Sequence, residues 1–96
     1  MPAYELRGEV WRYPGKGGWH FVTLPAELAD EIRARHGVGH RAFGSLRVRA
    51  SIGASTWSTS LFTDTRSASY LLPIKAEVRR RERLEAGDVA TVRLEV

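Results

Sequence analysis

Polar and apolar residues alternate along the first part of the chain. Tyr4, Leu6 and Val10 fall on one side, and Glu5, Arg7, Glu9 and Trp11 on the other. A period of two predicts a half-buried β-strand. The cluster Pro14-Gly15-Lys16-Gly17-Gly18 then marks a turn. Residues 19–24, Trp-His-Phe-Val-Thr-Leu, predict a second strand that pairs back on the first as a hairpin.

Pro25 changes the period. Proline suits the first turn of a helix, where its missing N–H leaves nothing unpaired. Leu28 and Ile32 lie four apart with Ala29 beside them, acidic residues come early and Arg33 and Arg35 late, and Gly37 ends the segment. From Arg41 the period returns to two, with Leu46, Val48 and Ile52 inward and Arg47, Arg49 and Ser51 outward. Gly53 predicts a bend or bulge. Residues 55–62 predict a strand, 63–67 a turn, and Tyr70-Leu71-Leu72 a short strand ending at Pro73. A second helix is predicted over 74–83, closed by Gly87-Asp88. The last strand runs from Val89 to Val96, with Val92, Leu94 and Val96 inside.

The two halves share an order of elements: strand, strand, Leu-Pro, helix, glycine, strand. Leu24-Pro25 recurs as Leu72-Pro73, an offset of 48 residues, and Gly39 meets Gly87 and Ala42 meets Ala90 at that offset. The expected fold is mainly β. It is a six-stranded closed β-barrel built from two tandem ββαβ units, residues 1–48 and 49–96, with pseudo-two-fold symmetry and two short helices. Closure removes the free edges that either unit alone would expose. In the final turn glycine is expected to supply a left-handed conformation, and the Asp88 carboxylate to accept backbone N–H groups across the barrel.

The length of 96 residues fits a single domain with one modest core. Cysteine is absent, which excludes disulfides and thiolate metal sites. No signal-peptide core opens the sequence, and no apolar run approaches the roughly 18 residues of a membrane span. A cytoplasmic protein without a membrane partner is expected. The formal net charge is +4, with each half contributing equally. No basic arm concentrates it, which weakens the expectation of an electrostatically driven nucleic-acid binder.

The chain resembles a bacterial family known as domain of unknown function nineteen-oh-five. The resemblance rests on Gly18-Trp19-His20-Phe21-Val22, Leu24-Pro25, Thr59-Ser60-Leu61, Tyr70-Leu71-Leu72-Pro73-Ile74-Lys75 and Gly87-Asp88-Val89. It implies a small closed β-barrel with short helices and no established activity. The chain departs from the family at Ser69, where a glycine often stands. The order Leu-Pro, helix, Gly-Asp, strand is also similar to the swapped-hairpin barrels of bacterial transition-state regulators and antitoxins. Those proteins dimerise through one unit per chain and bind DNA, whereas two units here let a monomer complete the barrel. Fold likeness of this kind does not carry function.

Candidate chemistry is sparse. Lys75, Arg79, Arg80, Arg81 and Arg83 form a basic run on the second helix, with Lys75, Arg79 and Glu82 aligned outward as a phosphate-binding face. The plainer reading is a solvated helix held by Glu77–Arg81, Arg79–Glu82 and Arg81–Glu85 pairs. Trp11, Trp19 and Trp57 can stack on bases or simply pack, and packing suits Trp19 and Trp57 better. His36 and His40 lose metal-ligand spacing because glycines separate them, so neither a metal nor a cofactor is expected. His20, Asp64 and Tyr70 are the acid–base residues of an enzymatic reading, but no nucleophile motif accompanies them.

The leading expectation is a non-enzymatic binding module for a protein or small molecule, using Trp57, Lys75, Arg79 and Arg80. Nucleic-acid binding through helix 74–83 is second, and an enzyme with an apolar barrel pocket third. The expected assembly is a monomer or weak homodimer.

Overall fold

A computed structural model describes residues 3–36 and 45–96. The alternating segments form six strands: β1 (Ala3–Arg12), β2 (His20–Thr23), β3 (Ser45–Ile52), β4 (Ser55–Asp64), β5 (Ser69–Pro73) and β6 (Val89–Glu95). Two helices, α1 (Ala26–His36) and α2 (Ala76–Glu82), follow the two Leu-Pro steps. Every strand pair is antiparallel, and the sheet closes in the order β1-β2-β5-β4-β3-β6. Closure leaves no free edge in the ring.

Alternation places one side of each strand inside. Leu6 and Val10, Val48 and Ile52, and Val92 and Leu94 are all buried. Small barrels are filled by side chains in this way. At roughly 1.5–3 kcal/mol for each fully buried aliphatic side chain, this interior is the main source of stability. Ala29 and Ile32 of α1 and Val78 of α2 join the same core, with α1 against β5 and α2 against β4.

Gly8 shares the inward parity of Leu6 and Val10. A Cβ there would stand 2.5 Å from Val22 Cγ1, so the Val22 methyl occupies the space that a side chain at residue 8 would need.

Several local expectations are corrected. Of the bend or bulge expected at Gly53, the structure has the bend: Gly53 is the first residue of a two-residue hairpin turn, since Ile52 pairs with Ser55. Its φ of +56° is the positive value that hairpin turns with the matching twist require. Helix α2 starts two residues later than expected and ends at Arg83, which itself adopts the left-handed conformation (φ 55°, ψ 48°). Closure therefore falls four residues before Gly87. The Asp88 carboxylate does not reach across the barrel; it accepts the Glu85 N–H at 2.8 Å within its own turn. The cross-barrel bonds come from the backbone, Gly87 N–H to Val10 C=O and Val10 N–H to Asp88 C=O. At Ser69, the departure from the family leaves the turn intact. Ala68 takes the positive φ, and the buried Ser69 hydroxyl donates to Leu24 C=O at 2.7 Å.

The strand order maps onto itself when β1, β2 and β3 are exchanged with β4, β5 and β6. A uniform shift of 48 residues does not reproduce the pairing, however. It would carry the Tyr4–Leu94 pair onto Ile52 and Leu46, which both lie in β3. The Gly39 and Ala42 matches fall outside the described residues, as does the start of the third strand expected at Arg41.

Candidate functional site

The outer face of the barrel is built by the residues between the inward ones. Across neighbouring strands Trp11 pairs with Phe21, Phe21 with Pro73, Leu71 with Phe62, and Ser60 with Arg47. Five consecutive strands of the ring thus contribute to one continuous surface.

Its centre is aromatic. Phe21 lies 5.3 Å from Trp11, 6.1 Å from Tyr13 and 6.2 Å from Trp19, ring centre to ring centre. The Trp19 and Phe21 planes are nearly parallel, at 9°. Such offset and edge arrangements suit the ring quadrupoles. Trp11 is anchored from below, its Nε1–H donating to Thr23 Oγ1 at 2.9 Å. The upper rings face solvent: Tyr13 is 54% exposed, Trp19 59% and Phe62 43%. Isolated exposed apolar residues are ordinary; here Tyr13, Trp19 and Phe62 lie together around one cleft.

A groove of about 460 Å³ opens beside the aromatic cluster. Trp19, Phe62 and Ile74 supply its apolar walls, and Arg47, Lys75 and Arg79 its charge. Among the described residues no acidic side chain lines it. The ion pairs among the described residues, Asp30–Arg33, Glu31–Arg35 and Glu77–Arg81, all lie elsewhere. Arg79 Nε–H donates to Ile74 C=O at 3.3 Å, a bond between two residues that line the groove. The His20 Nδ1–H donates to Gly18 C=O at 2.6 Å. A carbonyl only accepts, so this bond assigns the Nδ1 proton and leaves Nε2 as an acceptor in the neutral ring. A second cleft, about 280 Å³ and walled by Tyr13, Trp19, Phe21 and Phe62, shares Trp19 and Phe62 with the groove.

The expected site residues separate. Lys75 and Arg79 line the groove, whereas Arg80 is exposed outside it. Trp57 is in the core at 6% exposure and does not line the groove. Its Nε1–H has no hydrogen-bond partner among the described residues. Trp19, expected to pack, is instead the most exposed large apolar residue of the described chain. Trp57 shares the parity of buried Leu61, a signal that the sequence did carry. Arg47 was legible only as an outward position, and Phe21 and Phe62 only as strand residues.

Of the pairs expected to solvate helix α2, Glu77–Arg81 forms at 3.6 Å. Glu82 turns instead to the β3–β4 hairpin, where the Ser55 hydroxyl donates to it at 2.7 Å.

His20, Asp64 and Tyr70 do not meet. Asp64 pairs with Ser69 at the start of β5, while His20 lies at the other end, its C=O accepting the Ile74 N–H. The Ser67 hydroxyl, donating to Asp64 at 2.7 Å, holds that carboxyl below its usual range. Burial pushes the Tyr70 phenol up, against the pull of Arg33, whose guanidinium sits 5.6 Å from its ring. His36 is hydrogen-bonded to the Tyr4 hydroxyl at 3.1 Å, and His40 lies outside the described residues. Among those residues no group of three or more His, Asp or Glu gathers to hold a metal, and no helix is long and apolar enough to cross a membrane.

The architecture is thus a small closed antiparallel barrel carrying a basic, aromatic groove on its outer wall. Residues 7–94 match the family described as Domain of unknown function (DUF1905), and the chain belongs to that family. A search of curated proteins finds no match. Three of the stretches that carry the family resemblance, 18–22, 59–61 and 70–75, meet at this groove.

Proposed function

We propose that the domain is a non-enzymatic binding module, and that its outer groove takes a small anionic ligand with a flat apolar part. The observation that carries this reading is the grouping of Arg47, Lys75 and Arg79 beside exposed Trp19 and Phe62, with no carboxylate among the described lining residues. Unneutralised cations beside apolar walls favour an anion over a neutral or basic ligand. The volume falls within the range of small-molecule sites. The barrel interior, filled by its own side chains, gives no support to an apolar pocket for an enzyme.

Thymidine monophosphate and thymidine serve as matched probes in a two-dimensional amide NMR titration. The monophosphate is expected to move the Trp19 indole N–H and the Lys75 and Arg79 amides, and to leave the Trp57 indole unmoved. Thymidine is expected to bind more weakly. Shifts centred away from the groove, or equal binding of the two probes, would sink the reading.

A further inference from the structure

We infer that the groove and the aromatic cleft together form a platform for single-stranded nucleic acid, with phosphates on Arg47, Lys75 and Arg79 and bases on Trp19, Tyr13, Phe21 and Phe62. This rests on the binding reading above and deepens it. The argument starts from the division of the site. One compartment holds the cations, the other has only aromatic walls, and Trp19 and Phe62 are common to both. A ligand that fills both must alternate charge with flat apolar groups over a short distance, as a nucleotide chain does.

Charge and ring exposure narrow the partner further. Aromatic residues and Arg are common at protein–protein interfaces but Lys is depleted there, and here Lys75 joins Arg47 and Arg79 beside the apolar centre with no acidic partner among the described lining residues. A positive groove beside exposed aromatic rings is the combination that holds single strands, because every base offers a face for stacking. A duplex hides those faces between its own base pairs, so stacking on Trp19 and Tyr13 selects unpaired bases.

The cluster is also rigid where stacking needs rigidity. Trp11 is hydrogen-bonded to Thr23, and Phe21 is wedged among three rings, so the layer beneath Tyr13 and Trp19 is fixed. Little side-chain freedom remains to be lost below the contact layer. The surface is the sheet face and not helix α2 as a whole. Arg81 is paired with Glu77, and Arg80 lies outside the groove.

Three phosphate contacts predict a slope of log K against log salt of about −2, at about 0.7 per contact for a single strand. Fluorescence anisotropy with a labelled oligothymidylate about a dozen nucleotides long reads this directly. The same-length duplex, thymidine monophosphate and polyglutamate act as competitors. The oligonucleotide is expected to bind more tightly than the other three. Trp19→Ala and Tyr13→Ala, both at exposed positions, are expected to weaken it roughly five-fold or more each. Arg47→Gln, Lys75→Gln and Arg79→Gln should each flatten the salt slope by about 0.7. Arg80→Gln should leave both affinity and slope nearly unchanged. Far-ultraviolet circular dichroism checks that each variant is folded.

An oligonucleotide that binds no better than the monophosphate overturns the single-strand inference and leaves the small-anion reading standing. Binding of neither overturns both. Equal affinity for duplex, or for polyglutamate, refutes base stacking as the source of recognition. Loss on Arg80→Gln as large as on Arg79→Gln moves the surface to the helix and overturns the sheet-face inference.

Discussion

Gly8 and Val22 should behave as one packing unit. A methyl group at residue 8 would meet Val22 Cγ1 at 2.5 Å, while its next neighbours, Thr23 C=O at 3.6 Å and Leu6 Cδ1 at 3.8 Å, are ordinary contacts. The conflict therefore lies with a single methyl group. Val22 is fully buried, so that methyl cannot swing into solvent. Overpacking of this kind costs about 1–3 kcal/mol. Replacing glycine inside a strand returns about 0.5–1 kcal/mol of backbone entropy. The net cost of Gly8→Ala is then about 0–2.5 kcal/mol. Val22→Ala removes two methyl groups, about 1.6 kcal/mol by transfer alone, and about 2 kcal/mol or more with the cavity. In the double variant the new methyl enters the space that Cγ1 vacates. Its cost is expected to fall about 1–2 kcal/mol below the sum of the single costs. Urea unfolding followed by tryptophan fluorescence measures all four corners of the cycle. In a domain of this size each kcal/mol is worth about 4–8 °C in Tm, so thermal melts give an independent reading. Additivity within about 0.5 kcal/mol, the behaviour of distant sites, would refute the contact.

Two further outcomes follow from the turn at Gly53 and from buried Tyr70. Gly53→Ala should destabilise by about 1–2 kcal/mol through its φ of +56°, and also because the Glu82 carboxylate stands where the Cβ would go. Adding Glu82→Ala should leave the backbone part of that cost, and a chemical denaturation midpoint unchanged by Gly53→Ala would contradict the turn assignment. The folded chain holds the Tyr70 proton more tightly than the unfolded chain does, because burial disfavours the phenolate. The associated stability is fully present below the ordinary phenol value of about 10 and is lost as pH climbs through the raised one. Urea midpoints of wild type and Tyr70→Phe measured across that range should diverge, with the wild type falling faster, and parallel declines would rule out Tyr70 as the source.

Hydrophobic alternation by itself determined β1, β3 and β6 and their main inward residues, while β-forming composition between turn signals marked β2, β4 and β5. Alternation did so because the two-residue period belongs to the backbone of each strand and needs no partner. The Leu-Pro steps likewise announced both helices. The same pattern, applied to residues 55–62, places Trp57 inward with Leu61. Trp19, expected as the first residue of the second strand, stands instead one residue before β2, in the loop that joins the hairpin. The candidate surface was decided only by the tertiary structure. Arg47 on β3, Lys75 and Arg79 around α2, and Trp19 beside β2 are far apart in sequence. The evenly spread charge gave no sign that they would converge. They meet because closure puts β2, β5, β4 and β3 side by side. Strand order is set by long-range pairing and by the shape of a shared core, and no local period records either.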